Sequence, residues 1–169
     1  LAIRSVERAV DELILPAVEA NAERTGRQTE LDLACRWAAG WLRRAANFSP
    51  PAWRGSGVLL LETTPGPNIH SLHAQALDLG IRRAGLRALV LSADLAADRI
   101  AVASSALQPD AVVLCGDGNR PSGAALESAL RAPVGPRLYA YRCGVPVRAA
   151  SPLPPSPFSA TDSLLHDLV

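Results

Sequence analysis

A parallel α/β sheet with helices on both faces, preceded by a helical segment, is the fold class this sequence predicts. Three observations carry that expectation. From Val58 onward, short apolar runs alternate with stretches of helical period, the pattern of strand–helix–strand units. Two of those runs, VLLL from Val58 and AVVL from Ala111, are continuously apolar, as strands covered on both faces are. Before Asn47 the period is helical throughout, and a stretch rich in proline and glycine separates it from the alternating part.

In chain order, Ile3, Val6, Val10, Leu13 and Ala17 recur at the spacing of one helix face. Pro16 is expected to kink or divide that helix, because it has no N–H and crowds the preceding turn. Gly26 ends it. A second helix is expected from about Thr29 to Arg44, with Leu31, Cys35, Ala38, Leu42 and Ala45 on one apolar face and Leu33, Trp37 and Trp41 on another. A helix apolar on two sides calls for two partners: the following domain, a helix upstream of Leu1, or another subunit. NFSPPAWRGSG, from Asn47 to Gly57, is a linker by composition. Strands are then expected at 58–62, 88–92, 111–115 and 138–141, with helices at 69–84, 96–107 and 122–131 and right-handed crossovers. After Val147, prolines spaced through serines predict an extended, weakly packed tail that ends in a short helix carrying Leu164, Leu165 and Leu168. The expected organisation is a helical segment (1–47), a linker (48–57), an α/β domain (58–148) and a tail (149–169).

Composition narrows the function classes. The 169 residues carry a net charge of +1, so nothing in this chain's charge suggests a grip on nucleic acid or an anionic membrane. All 17 basic residues are arginine, which excludes Schiff-base and P-loop lysine chemistry. Cys35, Cys115 and Cys143 follow no CxxC spacing, and their odd number argues against a disulfide framework. No apolar run reaches membrane-spanning length and no signal peptide is visible, so the expected compartment is the cytoplasm, with no membrane partner. The chain starts at Leu1, directly in a helical pattern, and reads as a piece of something longer.

Chemistry concentrates in the stretch from Gly57 to Gly85, which holds two of the three histidines. In a sheet ordered 2-1-3-4, the ligand crevice lies beyond the carboxyl ends of strands one and three. That geometry brings the loop from Thr63 to His70 beside Cys115, Asp117 and Asn119. His70 and His73, three residues apart, share one side of a helix, and with Cys115 they offer a ligand set for a transition metal, haem iron or cobalt. The same spacing equally suits a His70 that caps the helix or lines a polar crevice, with Cys115 a small core residue. Trp37 and Trp41, one turn apart, either wall a flat ligand or belong to a core or interface. GDGN, from Gly116 to Asn119, is either a phosphate-binding turn or an ordinary strand–helix loop. GxSxG, GxGxxG after a strand and Walker A are all missing.

Two stretches, LILPAVEA (Leu13 to Ala20) and TPGPNIHSLHAQALDLGIRRAG (Thr64 to Gly85), carry a resemblance. From about Val10 to Cys143 the sequence is similar to the cobalamin-binding C-terminal half of MerR-type transcriptional regulators of the CarH/LitR group. The resemblance implies a flavodoxin-like (Rossmann-like) fold after a partial helical bundle. The family motif DxHxxG falls on Asn68, His70 and His73, which makes His70 the lower axial cobalt ligand. Asn68 replaces the aspartate that orients the imidazole, and His73 replaces the glycine that gives the corrin tail room. Cys115-Gly116-Asp117 replaces an SxL motif, and Tyr141-Arg142-Cys143-Gly144 replaces a glycine-rich stretch where a nucleotide tail approaches the backbone. The family's Trp and Glu-His pair above the corrin fall near Glu23 and at Leu31-Asp32.

The resulting expectation is a non-enzymatic sensory or oligomerisation domain of a MerR-like bacterial regulator. DNA would be bound by an upstream domain, subunits would associate through the helical segment, and a small effector would sit in a degenerate cobalamin-type crevice. Asn68, His70, His73, Cys115, Asp117, Trp37 and Trp41 are the candidate site residues, and His70 is the candidate metal ligand. The cofactor is left open between cobalamin through His70 and haem. The alternatives are a corrinoid- or haem-carrying module serving a methyltransferase or redox partner, and a small α/β enzyme acting through His70, Cys115 and Asp117.

Overall fold

The computed structural model describes residues 6–23, 28–117, 135–143 and 150–168. The expected helix at 122–131, Gly26, Asn119 and Gly144 lie outside the described residues. Strands β1 (Gly57–Glu62), β2 (Arg87–Ser92), β3 (Ala111–Cys115), β4 (Arg137–Tyr141) and β5 (Ser151–Pro152) form one parallel sheet ordered β2-β1-β3-β4-β5. This is the flavodoxin-like order, with the direction of winding reversing between β1 and β3. The central pair is in register from Val58 opposite Ala111 to Glu62 opposite Cys115.

Ahead of the sheet, helix α1 carries a π-helical stretch, Ala9–Ile14, and continues as α-helix over Leu15–Ala22. The wider turn closes where the Leu15 N–H donates to the Val10 carbonyl, immediately before Pro16. The division expected at Pro16 therefore takes the form of a change of helical pitch. Helix α2 (Gln28–Asn47) buries Cys35, Ala38 and Leu42, which lie on one of its two apolar faces.

Helix α3 (Ile69–Arg83) is the centre of the molecule. Ala74, Leu77 and Ile81 pack on the sheet through Val58, Leu60 and Val113. On its other side, Leu72, Ala76 and Leu79 join Val10, Leu15 and Val18 of α1 and the buried residues of α2 in a second core. The remaining side of α3 carries Gln75, Asp78 and Arg82, which are only partly buried. The opposite face of the sheet, with Leu59, Leu61, Val112 and Leu114, is covered by Ile100 of helix α4 (Ala97–Leu107).

Two segments are held more firmly than their composition suggests. In the linker, the Trp53 and Arg54 N–H groups both donate to the Gly85 carbonyl at 3.1 and 2.9 Å. Gly85 has φ of +82°, and a Cβ there would lie 2.1 Å from the Trp53 indole nitrogen. The segment expected to be a weakly packed tail instead extends the sheet: Ser151 and Pro152 pair with Tyr139 and Ala140 of β4. The Leu153 N–H donates to the Ala140 carbonyl at 2.9 Å. Helix α5 (Pro157–Leu168) then returns over the sheet and buries Ala160, Thr161 and Leu164.

Candidate functional site

The loop after β1 closes against the end of β3 beside His70, where the strand order reverses. The Thr63 N–H and hydroxyl both donate to the Cys115 carbonyl, at 2.8 and 3.0 Å. Gly116, with φ of +103°, sits so close that a Cβ would be 2.6 Å from the Thr64 hydroxyl and 3.5 Å from His70 Cβ. Asn68 caps α3: its Oδ1 accepts from the Ser71 N–H at 2.9 Å, and its Nδ2 donates to the Thr64 carbonyl at 2.8 Å. Both ends of the Asn68 amide are thus committed to the loop. His70 Nδ1 is buried with no hydrogen-bond partner.

His73 faces a different way. It is only 3% exposed, enclosed between α3, α1 and the end of β4. Its Nε2 lies 2.8 Å from Glu19 Oε1 on α1, and its Nδ1 lies 3.5 Å from the Tyr141 hydroxyl. Glu19 Oε1 also accepts from the Arg142 guanidinium at 3.0 Å. The Tyr141 hydroxyl donates to the Pro155 carbonyl at 3.0 Å. A carboxylate only accepts, so the neutral His73 ring carries its proton on Nε2, and its unprotonated Nδ1 faces a Tyr141 oxygen whose one proton is given to Pro155. Burial, reinforced by the Arg142 cation, pulls the His73 pKa down to about 4, against the opposing pull of Glu19. Burial also pushes the Tyr141 phenol upward.

Arg142 reaches Glu19 from a left-handed backbone conformation, φ +52°. For a residue with a Cβ this costs roughly 1–2 kcal/mol. The ion pair holds the side chain across the joint between α1 and the sheet. A cleft of about 220 Å³ opens beside it, lined by Asp11, Glu19, His73, Arg142, Pro155 and Ser156 among others. Asp11 Oδ2 accepts from the Ser156 hydroxyl at 2.8 Å, a second tie between α1 and the segment leading into α5. Asp11 Oδ1 is buried without a partner, and burial raises the pKa of that carboxyl.

The expected ligand set is not assembled. Cys115 is fully buried within the core on the α3 side of the sheet, and its Sγ donates to the Val113 carbonyl at 3.8 Å. Burial pushes its thiol well above the usual range, so it is neither a ready thiolate ligand nor a nucleophile. Among the described residues no three His, Cys, Asp or Glu side chains come together as a metal site. Asp117 is exposed just beyond β3. Trp37 lies in solvent on α2, and Trp41 packs against the α1–α2–α3 core; neither lines the cleft beside His73.

Cobalamin with a buried tail does not fit these residues. The imidazole of His70 lacks the orienting partner that a cobalt ligand requires, since Asn68 is spent on the helix cap. His73, Tyr141 and Arg142 fill the joint with hydrogen-bonded side chains where the resemblance calls for glycine.

The fold rule located His70 correctly at the strand-order reversal. It missed Glu19, Arg142, Tyr141 and Asp11 as partners of His73 and its cleft. Arg142 stood out only as a bulky residue in a stretch where glycine was expected. Glu19 gave no local signal, because its partner lies 123 residues away. No protein-family model matches the chain, and no curated protein matches it.

Proposed function

We propose that the chain is the sensory module of a MerR-like transcription regulator, with DNA bound by a part of the protein outside this sequence. In this reading a small effector acts at the clasp between helix α1 and the sheet. The observation that carries the reading is Glu19, which binds Arg142 and His73 at once and so ties the helical segment to the carboxyl end of the sheet. A small carboxylate or phosphate entering the adjacent cleft competes with Glu19 for Arg142. It shifts the helical segment only to the extent that it binds the unclasped arrangement more tightly than the clasped one. The role is binding and signalling rather than catalysis: the one cysteine at a strand end is buried with a raised pKa.

The test uses the whole protein that carries this chain, bound to DNA from upstream of its own gene and followed by fluorescence anisotropy. Arg142→Ala and Glu19→Gln are expected to change DNA affinity several-fold with the fold intact by circular dichroism. A protein that does not bind that DNA, or two variants indistinguishable from wild type, would sink the reading. The place of His70 at the strand-order reversal is the feature that favours a corrinoid or haem carrier instead. Wild-type protein mixed with adenosylcobalamin or haem and then desalted is expected to emerge colourless. Retained colour that disappears in His70→Ala replaces the effector reading with the carrier one.

A further inference from the structure

The outer face of α2 carries an apolar stripe that nothing among the described residues covers. Leu33 is 69% exposed and Trp37, one turn on, 60%. Trp41 continues the line half-buried, and a Cβ built at the neighbouring Gly40 meets no atom within 4 Å. Two large apolar side chains held in water one turn apart mark a contact surface rather than scattered exposure.

The charges at the ends of the stripe say what covers it. Glu30 lies seven residues before Trp37 and Arg44 seven residues after, two turns in each direction, so both fall on the face of the stripe. The pattern is a palindrome about Trp37: acid, Leu33, Trp37, Trp41, base. A twofold interface requires the same patch to be complementary to itself, and an unrelated partner places no such demand on one helix.

We infer that a second copy of this chain docks here, α2 against α2 and antiparallel, with Trp37 on the twofold axis. Each Trp37 then meets its mate, Leu33 meets Trp41 of the second copy, and Glu30 faces Arg44 of the second copy. The inference stands on the stripe alone and does not depend on the effector reading.

Sedimentation velocity over a concentration series tests it, with circular dichroism as the check on folding. Wild type is expected to dimerise, and Trp37→Glu to remain monomeric. Glu30→Arg and Arg44→Glu each turn two attractions per dimer into two repulsions and are expected to weaken association by roughly tenfold. The double variant Glu30→Arg/Arg44→Glu restores the pairing and is expected to return to near wild-type association. These swaps sit at exposed positions, so they decide the matter even if Trp37→Glu fails to fold. A monomer at every concentration overturns the inference and leaves the stripe to a different protein. A dimer indifferent to Trp37→Glu, or one weakened by both swaps and not recovered in the double variant, overturns this interface.

Discussion

At His73 the two ring nitrogens meet two different kinds of partner, a carboxylate and a phenol, and the ring itself is almost wholly buried. The ring would be fully hydrogen-bonded when protonated, yet its pKa is drawn down to about 4, with burial the largest cause and the Arg142 cation next. The sign follows directly. Between about pH 4 and the ordinary histidine value of 6.5, the unfolded chain takes up a proton that the folded chain refuses, so this residue's contribution to stability rises with pH across that window. At full amplitude it is worth roughly 3 kcal/mol. Asp11, Glu62 and Asp78 act in the opposite sense, because burial raises their pKa values and favours the folded state at low pH. The quantity to measure is therefore the difference between wild type and His73→Gln, whose amide still donates to Glu19. Urea denaturation from pH 4 to 7 is expected to show a shallower rise of stability with pH in the variant. Parallel curves would assign the pH dependence elsewhere.

Helix α3 is held on three sides, and at Gly80 it approaches α5 closely. At Gly80 a Cβ would lie 2.4 Å from Thr161 Oγ1, itself fixed by donating to the Pro157 carbonyl at 2.9 Å. In an exposed helix, glycine to alanine gains about 1 kcal/mol of helix propensity. Here overpacking costs about 1–3 kcal/mol. Gly80→Ala is expected to destabilise the protein, and to become neutral or favourable in a Thr161→Ala background. A double-mutant cycle by urea denaturation reads that coupling, and additive effects would rule out the contact as the cause. The elements of the α/β part were legible because their signals are local: β3 matches its apolar run at both ends, and β1 begins one residue early, at Gly57. In the last nineteen residues the closing helix was legible from its leucines, and the strand before it was not. Prolines and serines carry no period, and what orders Ser151 and Pro152 is pairing with a distant strand. At the site the balance is similar: His70 is placed by topology, whereas His73 acquires its partners only when α1 and β4 converge on it.

For the whole molecule, the second core joins the helical segment to the sheet through α3, so the two parts of the sequence share one set of buried side chains. Leu42 of α2, 1% exposed, belongs to that shared core. Leu42→Ala is expected to cost roughly 2–5 kcal/mol. It should also leave a single unfolding transition, with tryptophan fluorescence, which reports α2 and the linker, coinciding with far-ultraviolet circular dichroism. A fluorescence transition at lower denaturant would mean that the helical segment detaches on its own.

The last strand has a bearing on how the protein behaves when crowded. Along β5 the Leu153 N–H points inward to the Ala140 carbonyl, so by alternation the backbone nitrogen of Pro152 points outward. An outer edge normally offers donors there, and proline has none to offer. An incoming strand from another molecule finds two residues to pair with and a missing hydrogen at one of them. The proline-rich ending thus closes that side of the sheet against fibrous growth at a cost of only two residues of strand.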